Sequence, residues 1–417
     1  MKVNIVGAGY VGLVTGIILA SEGHRVRLFE RDIEKIEAIA TKKIPFYEKG
    51  LKKLLLKTTK NKKFSIHEFK LENFDEPDIF LICVGTPTVN NNISLTNLLN
   101  VGEVIGNWLK SYKNFCSIVI KSTVLAGTTD TFFKNLIENK SNLDHGKGDF
   151  GLGMNPEFLR EGNAVNDFMY PDRIVIGYED MKTRNRLTKL YSSFKCKKIY
   201  TNSRTAEMSK YANNALLALQ ISAVNELSNI SHAMKGTDFS RIIEIVKTDH
   251  RWNNLNDDNS SSILNYLIPG PGFGGSCFPK DLKALSSQSS NLGINSLVLN
   301  AVINTNNKQP ENCVNLLLKK MSFVTVSKKI LFLGLTFKPE TDDLRESTSI
   351  KMIHSALNKG CIVKFHDPFF STYKLKHSSD DSEFVKDWGS YIQWSDAIVI
   401  ATAHKEYKKL LLLNIDD

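Results

Sequence analysis

Lys2-Val3-Asn4-Ile5-Val6-Gly7-Ala8-Gly9-Tyr10-Val11-Gly12 is a short apolar run, then a glycine-rich turn, then the first residues of a helical pattern. In a strand–turn–helix unit the first glycine permits the tight turn. The second lets backbone approach a pyrophosphate, and the third lets helix and strand pack closely. The helix N-terminus then offers free N–H groups to phosphate charge. Arg25–Phe29 reads as a second strand that runs into Glu30, where an acid bonds ribose hydroxyls and favours NAD over its 2′-phosphorylated form. Arg31 beside it pulls the other way. A glycine turn that binds nothing is the alternative.

Outward from this turn the alternation continues. The helix Tyr10–Glu22 is followed by a helix at Ile33–Thr41, and buried strands are expected at Ile79–Val84, Ser117–Ile120 and Arg173–Ile176. Strands separated by helical patterns imply a parallel sheet covered on both faces. From Arg204 to Lys235 there is neither Pro nor Gly, and Ala206, Met208, Tyr211, Ala212, Leu216, Leu219 and Val224 make the stretch apolar on more than one side. Such a helix suits a connector or a dimer interface, with Gly236 as its cap. Ser260–Gly275 reads as a loop. Strands at Lys329–Leu335, Cys361–His366 and Asp396–Thr402, with a helix at Ser349–Asn358, then restart the alternation without the glycine fingerprint. The expected fold is α/β: two doubly wound Rossmann-like domains joined by a long central helix.

The chain has 417 residues, enough for two to three domains, and a net charge of +10. A basic surface suits nucleic acid, membranes or phosphorylated metabolites. No nucleic-acid module appears, and the densest basic run, Lys49–Lys63, reads as a solvated helix and loop. The six cysteines show neither metal-ligand nor redox-pair spacing, which points to a reducing cytoplasm. Glycines interrupt the apolar start, so a buried strand–turn–helix is expected there rather than a signal peptide, and no other run is long enough to span a bilayer.

Pro271-Gly272-Phe273-Gly274-Gly275-Ser276-Cys277-Phe278-Pro279-Lys280-Asp281 crowds glycines beside one cysteine. Pro279 marks a helix start, so the helix dipole favours a Cys277 thiolate. Lys280 adds positive charge, Asp281 suits orienting a water, and the glycines suggest close approach of a ligand. A lone cysteine is more often a small buried hydrophobe. Lys210 and Asn214 share a helix face; an inward Lys210 needs an anion, and the pair suits oxyanion stabilisation, a surface lysine being the alternative. Glu157 in Asn155-Pro156-Glu157-Phe158-Leu159-Arg160-Glu161-Gly162 is a candidate general base for an acyl-enzyme, or only a helix-start acid. Lys121-Ser122-Thr123 ends a strand, where doubly wound folds place ligand contacts.

Together these motifs, with Val84-Gly85-Thr86-Pro87, Gly127-Thr128-Thr129, Pro171-Asp172-Arg173, Thr341-Asp342-Asp343 and Arg345-Glu346-Ser347, resemble the UDP-glucose/GDP-mannose dehydrogenase family from Lys2 to about Tyr407. The resemblance implies an NAD-binding Rossmann domain over 1–202 and a helical, dimer-building domain over 203–300 that ends in the cysteine loop. It implies a UDP-sugar-binding Rossmann-like domain over 301–417. It implies a four-electron oxidation of a sugar CH2OH to a carboxylate, in which Cys277 attacks the C6 aldehyde and forms a thiohemiacetal, then a thioester. Lys210 and Asn214 would stabilise oxyanions, Asp281 would assist proton transfer, Thr123 would position water and Glu157 would assist hydrolysis. Cofactor contacts are implied at Gly7, Gly9, Tyr10, Val11, Gly12, Glu30, Lys35, Gly85, Thr86, Pro87, Thr123, Glu161, Lys280 and Arg345. Substrate contacts are implied at Phe158, Leu159, Arg160, Glu161, Lys210, Asn214, Arg251, Tyr266, Gly274 and Lys338.

No metal, nucleic acid or membrane partner is implied, and a homodimer is. Pro171–Gly177 is closest to the UDP-glucose branch, with other UDP-hexoses and GDP-mannose left open. Glu30 stands where that family usually has Asp, Lys49 where it has Pro, and Ser347-Thr348-Ser349 where it has Ser-Pro. A two-electron dehydrogenase of a small hydroxy acid and a non-catalytic NAD-binding regulator are competing readings; the Cys277 loop and the second doubly wound unit argue against the first.

Overall fold

A computed structural model describes residues 1–89, 92–252, 262–322, 327–375 and 381–412. The chain divides into two compact units, Met1–Ala212 and Asn213–Asp417. In the first, the elements run β1 (Lys2–Val6), α1 (Tyr10–Ser21), β2 (Arg25–Glu30), α2 (Ile33–Ala40), α3 (Leu51–Lys60), β3 (Phe64–Glu68) and β4 (Ile79–Ile82). They continue with a small ladder of β5 (Thr88–Val89) and β6 (Asn92–Ile93), then α4 (Thr96–Leu109), β7 (Ser117–Ile120), α5 (Lys134–Ser141), β8 (Gly151–Met154) and α6 (Ala164–Met169). Last come β9 (Arg173–Tyr178), α7 (Met181–Leu190) and β10 (Lys197–Thr201). The strands form one eight-stranded sheet in the order β10-β9-β8-β7-β4-β1-β2-β3.

Ile79, Phe80, Leu81 and Ile82 show how this sheet is built. All four are fully buried. Ile79 and Leu81 face one core with Leu13, Ile17 and Leu28, while Phe80 and Ile82 face the other with Leu98, Ile105 and Phe133. Burial of one such side chain contributes about 1.5–3 kcal/mol, so a strand apolar on both faces settles in the sheet centre. The expectation of a wholly parallel sheet needs correction at one seam. β8 and β9 pair antiparallel, Gly153 opposite Tyr178, and β10 then follows β9 in parallel. A strand buried on both faces has the same apolar pattern in either direction, so its sequence carries no direction signal.

A single helix, α8 (Ser203–Ala233), bears out the long Pro- and Gly-free stretch. It ends where Lys235 and Gly236 take positive φ. After it the second unit has α9 (Phe239–Lys247), α10 (Phe278–Asn291), α11 (Leu297–Lys320), β11 (Lys329–Leu333), α12 (Thr348–Asn358), β12 (Ile362–His366), β13 (Ser382–Phe384) and β14 (Ala397–Ile400). The expected loop Ser260–Gly275 contains a 3-10 helix over Ser262–Leu267, whose Leu267 packs with Val224, Phe239 and Ile243; residues 260 and 261 lie outside the described part. The expected boundary at 300/301 falls inside α11, which is continuous through it.

β13-β12-β11-β14 is a parallel sheet of four strands. One face packs on α11 and α12 through Val314, Met352 and Ile353. The other is covered by Trp388, Tyr407 and Leu410, carried mostly on 3-10 turns. Among the described residues no helix is long and apolar enough to cross a membrane.

Candidate active site

In the first unit the carboxyl ends of β1, β2, β4 and β7 bring together the glycine turn, Glu30, Gly85-Thr86-Pro87 and Thr123. A Cβ on Gly12 would sit 1.9 Å from the Gly7 carbonyl, so any side chain there would unseat the turn. Gly9 has open space where a Cβ would point, and it leads into the α1 N-terminus with no side-chain cap. The Glu30 carboxylate accepts from Ala8 N at 2.8 Å and from Arg31 N at 2.8 Å, which holds the acid against the phosphate turn. Open backbone at Gly9, free N–H groups and an adjacent carboxylate fit NAD.

Thr86 Oγ1 donates to the Thr123 carbonyl at 2.7 Å, joining two of the expected contact segments. Val11 packs against the core. Lys35 stays at the surface beside Asp32, at 3.6 Å. The Tyr10 hydroxyl donates to Glu48, and both accept from Gly162 N, at 3.0 and 2.9 Å. Buried Glu48 thereby ties the glycine turn to the Asn155–Gly162 loop, a role the bare sequence did not reveal.

The anion that an inward Lys210 requires is Glu157: Lys210 Nζ lies 2.9 Å from its Oε1, and both side chains are buried. Desolvation pushes the Glu157 carboxyl up, but the Lys210 ammonium and the Leu159 N–H, at 2.6 Å, outweigh it and hold the group below its ordinary value. A carboxylate held low is a weak base, so Glu157 acts first as the charge partner of Lys210. Phe158 stacks beneath the Arg173 guanidinium, 4.2 Å from its ring centre, with Lys210 at 5.5 Å. Arg160 grips Asp167 with its Nε at 2.9 Å and a terminal nitrogen at 2.6 Å. Leu159 packs on the core and Glu161 is half-buried.

In the second unit Cys277 is the N-cap of α10, with Pro279 in the first turn, and it is half-buried. Burial raises the thiols of the other five: Cys83 and Cys116 to about 12, Cys313 to about 11, and Cys196 and Cys361 in the same direction. Asp281, one turn beyond Cys277, is buried and accepts from Asn214 Nδ2 at 2.7 Å and Lys280 Nζ at 2.6 Å. The positive charge expected of Lys280 beside the thiol is therefore directed at Asp281.

The glycines before Cys277 also read differently in the fold. A Cβ on Gly274 would meet the Glu346 carbonyl at 2.4 Å, and one on Gly275 the Phe337 ring at 2.7 Å. Gly275 N donates to Arg345 O at 2.9 Å. These glycines admit the chain's own Phe337–Glu346 segment, where the sequence suggested a ligand.

That packing brings the cysteine loop against the segment with Lys338 and Arg345. Thr336 and Thr341 hydroxyls donate to the Lys338 carbonyl at 3.1 and 2.9 Å, and the Arg345 guanidinium pairs with Asp343 at 2.7 Å. The segment's start is held by Asp367, which accepts from Leu335 N and Thr336 N at 2.7 and 3.1 Å and lies 3.3 Å from His404 Nε2. The two histidine- and aspartate-bearing strand ends gave no sequence signal, because their partners lie more than 30 residues away. Arg251 is closed on Asp249, its Nε at 3.0 Å, which lowers the exposed Asp249 carboxyl to about 2. Tyr266 sits half-buried on the 3-10 helix.

The NAD binding domain of the UDP-glucose/GDP-mannose dehydrogenase family matches residues 1–195, its central domain 204–308 and its UDP binding domain 331–417. A UDP-glucose 6-dehydrogenase of Rickettsia bellii is 34% identical over 98% of this chain and 91% of its own length. One from Bacillus subtilis is 34% identical over 100% of this chain and 91% of its own. The structure of a UDP-glucose dehydrogenase from Pyrobaculum islandicum aligns with TM-score 0.87 at 31% identity, covering 98% of this chain and 91% of that one. A UDP-D-ManNAc dehydrogenase from Pyrococcus horikoshii aligns with TM-score 0.83 at 27% identity, over 99% and 91%. With its dinucleotide turn, its buried lysine–glutamate pair and matches to all three domains, the chain belongs to the UDP-glucose/GDP-mannose dehydrogenase family and is an NAD-dependent oxidoreductase.

Proposed function

We propose that the protein is a UDP-glucose 6-dehydrogenase that oxidises UDP-glucose to UDP-glucuronate in two steps, with Cys277 as the covalent nucleophile. The observation that carries this reading is the setting of Cys277. It is the half-buried cap of a helix N-terminus, whereas burial pushes the other five thiols up. Bound NAD supplies the hydride acceptor for each oxidation. Gly7, Gly9, Tyr10, Val11, Gly12, Glu30, Lys35, Gly85, Thr86, Pro87, Thr123, Glu161, Lys280 and Arg345 are the proposed contacts that hold it. Phe158, Leu159, Arg160, Glu161, Arg251, Tyr266, Gly274 and Lys338 are the proposed substrate contacts.

Lys210, in its neutral amine form, takes up the proton of the C6 hydroxyl as the aldehyde forms and becomes the ammonium that pairs with Glu157. The Cys277 sulfur then bonds to C6, and Lys210 and Asn214 share the charge of the resulting oxyanion. Loss of the remaining C6 hydride leaves a thioester. A water placed by Thr123 adds to its carbonyl, with Glu157 and Asp281 assisting proton transfer. The C–S bond breaks, and the thiol and a carboxylate are released. A nucleophile of this kind makes the aldehyde a hydride donor without its hydrate.

Wild-type protein is expected to yield two NADH per UDP-glucose, and Cys277→Ser to yield no uronate. One NADH per sugar, or a serine variant that still makes acid, removes the mechanism. A second reading, oxidation of UDP-N-acetylmannosamine, is favoured by the likeness to the Pyrococcus enzyme; a panel of UDP- and GDP-hexoses separates the two.

The three-part organisation 1–202, 203–300 and 301–417 belongs to the same proposal, as does action in the cytoplasm, supported by six cysteines that show neither metal-ligand nor redox-pair spacing. So does a homodimer, supported by the apolar surface of α8. Leu216 is 62% exposed, Leu227 56% and Ile230 46%. A groove of about 470 Å³ beside them is lined by apolar residues of α8 and α9, among them Leu227, Ile230 and Ile242, and by Trp252 beyond α9.

A further inference from the structure

Behind the Asn155–Gly162 loop lies a second buried ammonium that the reaction above does not use. Lys121 follows β7 directly and is 4% exposed. Its Nζ donates to Asn155 Oδ1 at 2.8 Å and sits over the Phe168 and Tyr191 rings at 5.6 and 6.0 Å. The Tyr191 hydroxyl donates to the same Oδ1 at 2.6 Å, and Asn155 Nδ2 donates to Val175 O at 2.7 Å. Asn155 is thus fixed at both ends of its amide, and only Pro156 separates it from Glu157.

The groups that act on this ammonium come from four elements. Cys83 follows β4 and Tyr191 follows α7; burial keeps both neutral by pushing their ionisation up. Glu157 stands on the loop and Lys210 on α8. Desolvation brings the Lys121 ammonium down to about 8, with Glu157 resisting and Lys210 assisting. Two buried ammoniums therefore face one carboxylate.

A lone lysine–glutamate pair in a dry interior resists losing its proton, because the remaining carboxylate would be an uncompensated buried charge. A second cation relieves that constraint. We propose that Lys121 is a positioning residue for the reaction: it anchors Asn155, and so Glu157, while its charge keeps Glu157 an anion and lets Lys210 release its proton. This rests on the reading of Lys210 and Glu157 given above.

Lys121→Gln keeps a donor for Asn155 and removes the charge, Lys121→Met removes both, and Lys121→Arg keeps the charge. With kcat and KM measured for UDP-glucose and NAD across pH, Lys121→Gln is expected to shift the ascending limb of kcat upward by about one pH unit. Loss of a neighbouring cation raises the pKa of Lys210 and of Glu157 alike, so the direction holds whichever group is the base. On that limb kcat falls about tenfold, the KM for NAD is unchanged, and Lys121→Arg returns the limb toward its wild-type position.

A wild-type profile in Lys121→Gln overturns the inference. So does a fall in kcat without displacement of the limb, which marks a packing role only. If Lys121→Met does not fold, Lys121→Gln decides alone. A wild type that makes no NADH from any UDP-hexose overturns the functional reading, and the inference with it; an active wild type beside an unaltered Lys121→Gln overturns the inference alone.

Discussion

Lys210 and Glu157 are each buried charges made tolerable by the other. Removing one partner of such a pair leaves an uncompensated ion and costs about 3–5 kcal/mol, whereas removing both costs less. Lys210→Ala is therefore expected to melt well below wild type, and Lys210→Ala/Glu157→Gln to recover part of the difference while staying inactive; calorimetry of the four proteins in the cycle reads this directly. Lys121 carries a pH dependence of its own. Its folded-state pKa is lowered to about 8 from an ordinary 10.5, so between these values the unfolded chain binds more protons. Stability contributed by this group rises with pH across that window and is flat above it. Melting temperatures of wild type minus Lys121→Met, followed from pH 7 to 10.5, are expected to climb; a flat difference contradicts the assignment.

At the scale of elements, the strand–turn–helix β1–α1 depends on contact between its own two glycines. Gly12→Ala places a methyl group against the Gly7 carbonyl and is expected to abolish NAD binding. UDP binding should persist, because the UDP binding domain matches a separate stretch of the chain, residues 331–417. Titration calorimetry with each ligand checks this. The cysteine loop follows the same rule of close approach, with a neighbour from a distant part of its own chain. A glycine run states that something comes near, not what. In β1–α1 the local spacing of strand and helix supplied the answer; at Gly274 and Gly275 the neighbours are Glu346 and Phe337, more than 60 residues on.

For the whole molecule, apolar residues of α8 are among those that a single chain leaves unburied. Exposed Leu227, Ile230 and Met234 beside the α8–α9 groove are expected to be covered by a second copy. Leu227→Asp combined with Ile230→Asp should then convert a dimer into a monomer, read as a halved mass by light scattering. A wild type that is monomeric at micromolar concentration rejects the homodimer.

The alternation of strands and helices, the dinucleotide turn, α8 and the helix start after Cys277 were all determined by the sequence itself, because each depends on residues within a few positions of one another: periodic burial, close backbone approach and capping. The tertiary structure alone decided the antiparallel β8–β9 seam, the partner of Lys210, the hold of Glu48 on Gly162 and the place of Lys121 behind Glu157. A strand apolar on both faces reads alike in either direction, and a buried charge takes whichever counter-charge the folded chain brings to it, from any distance along the sequence.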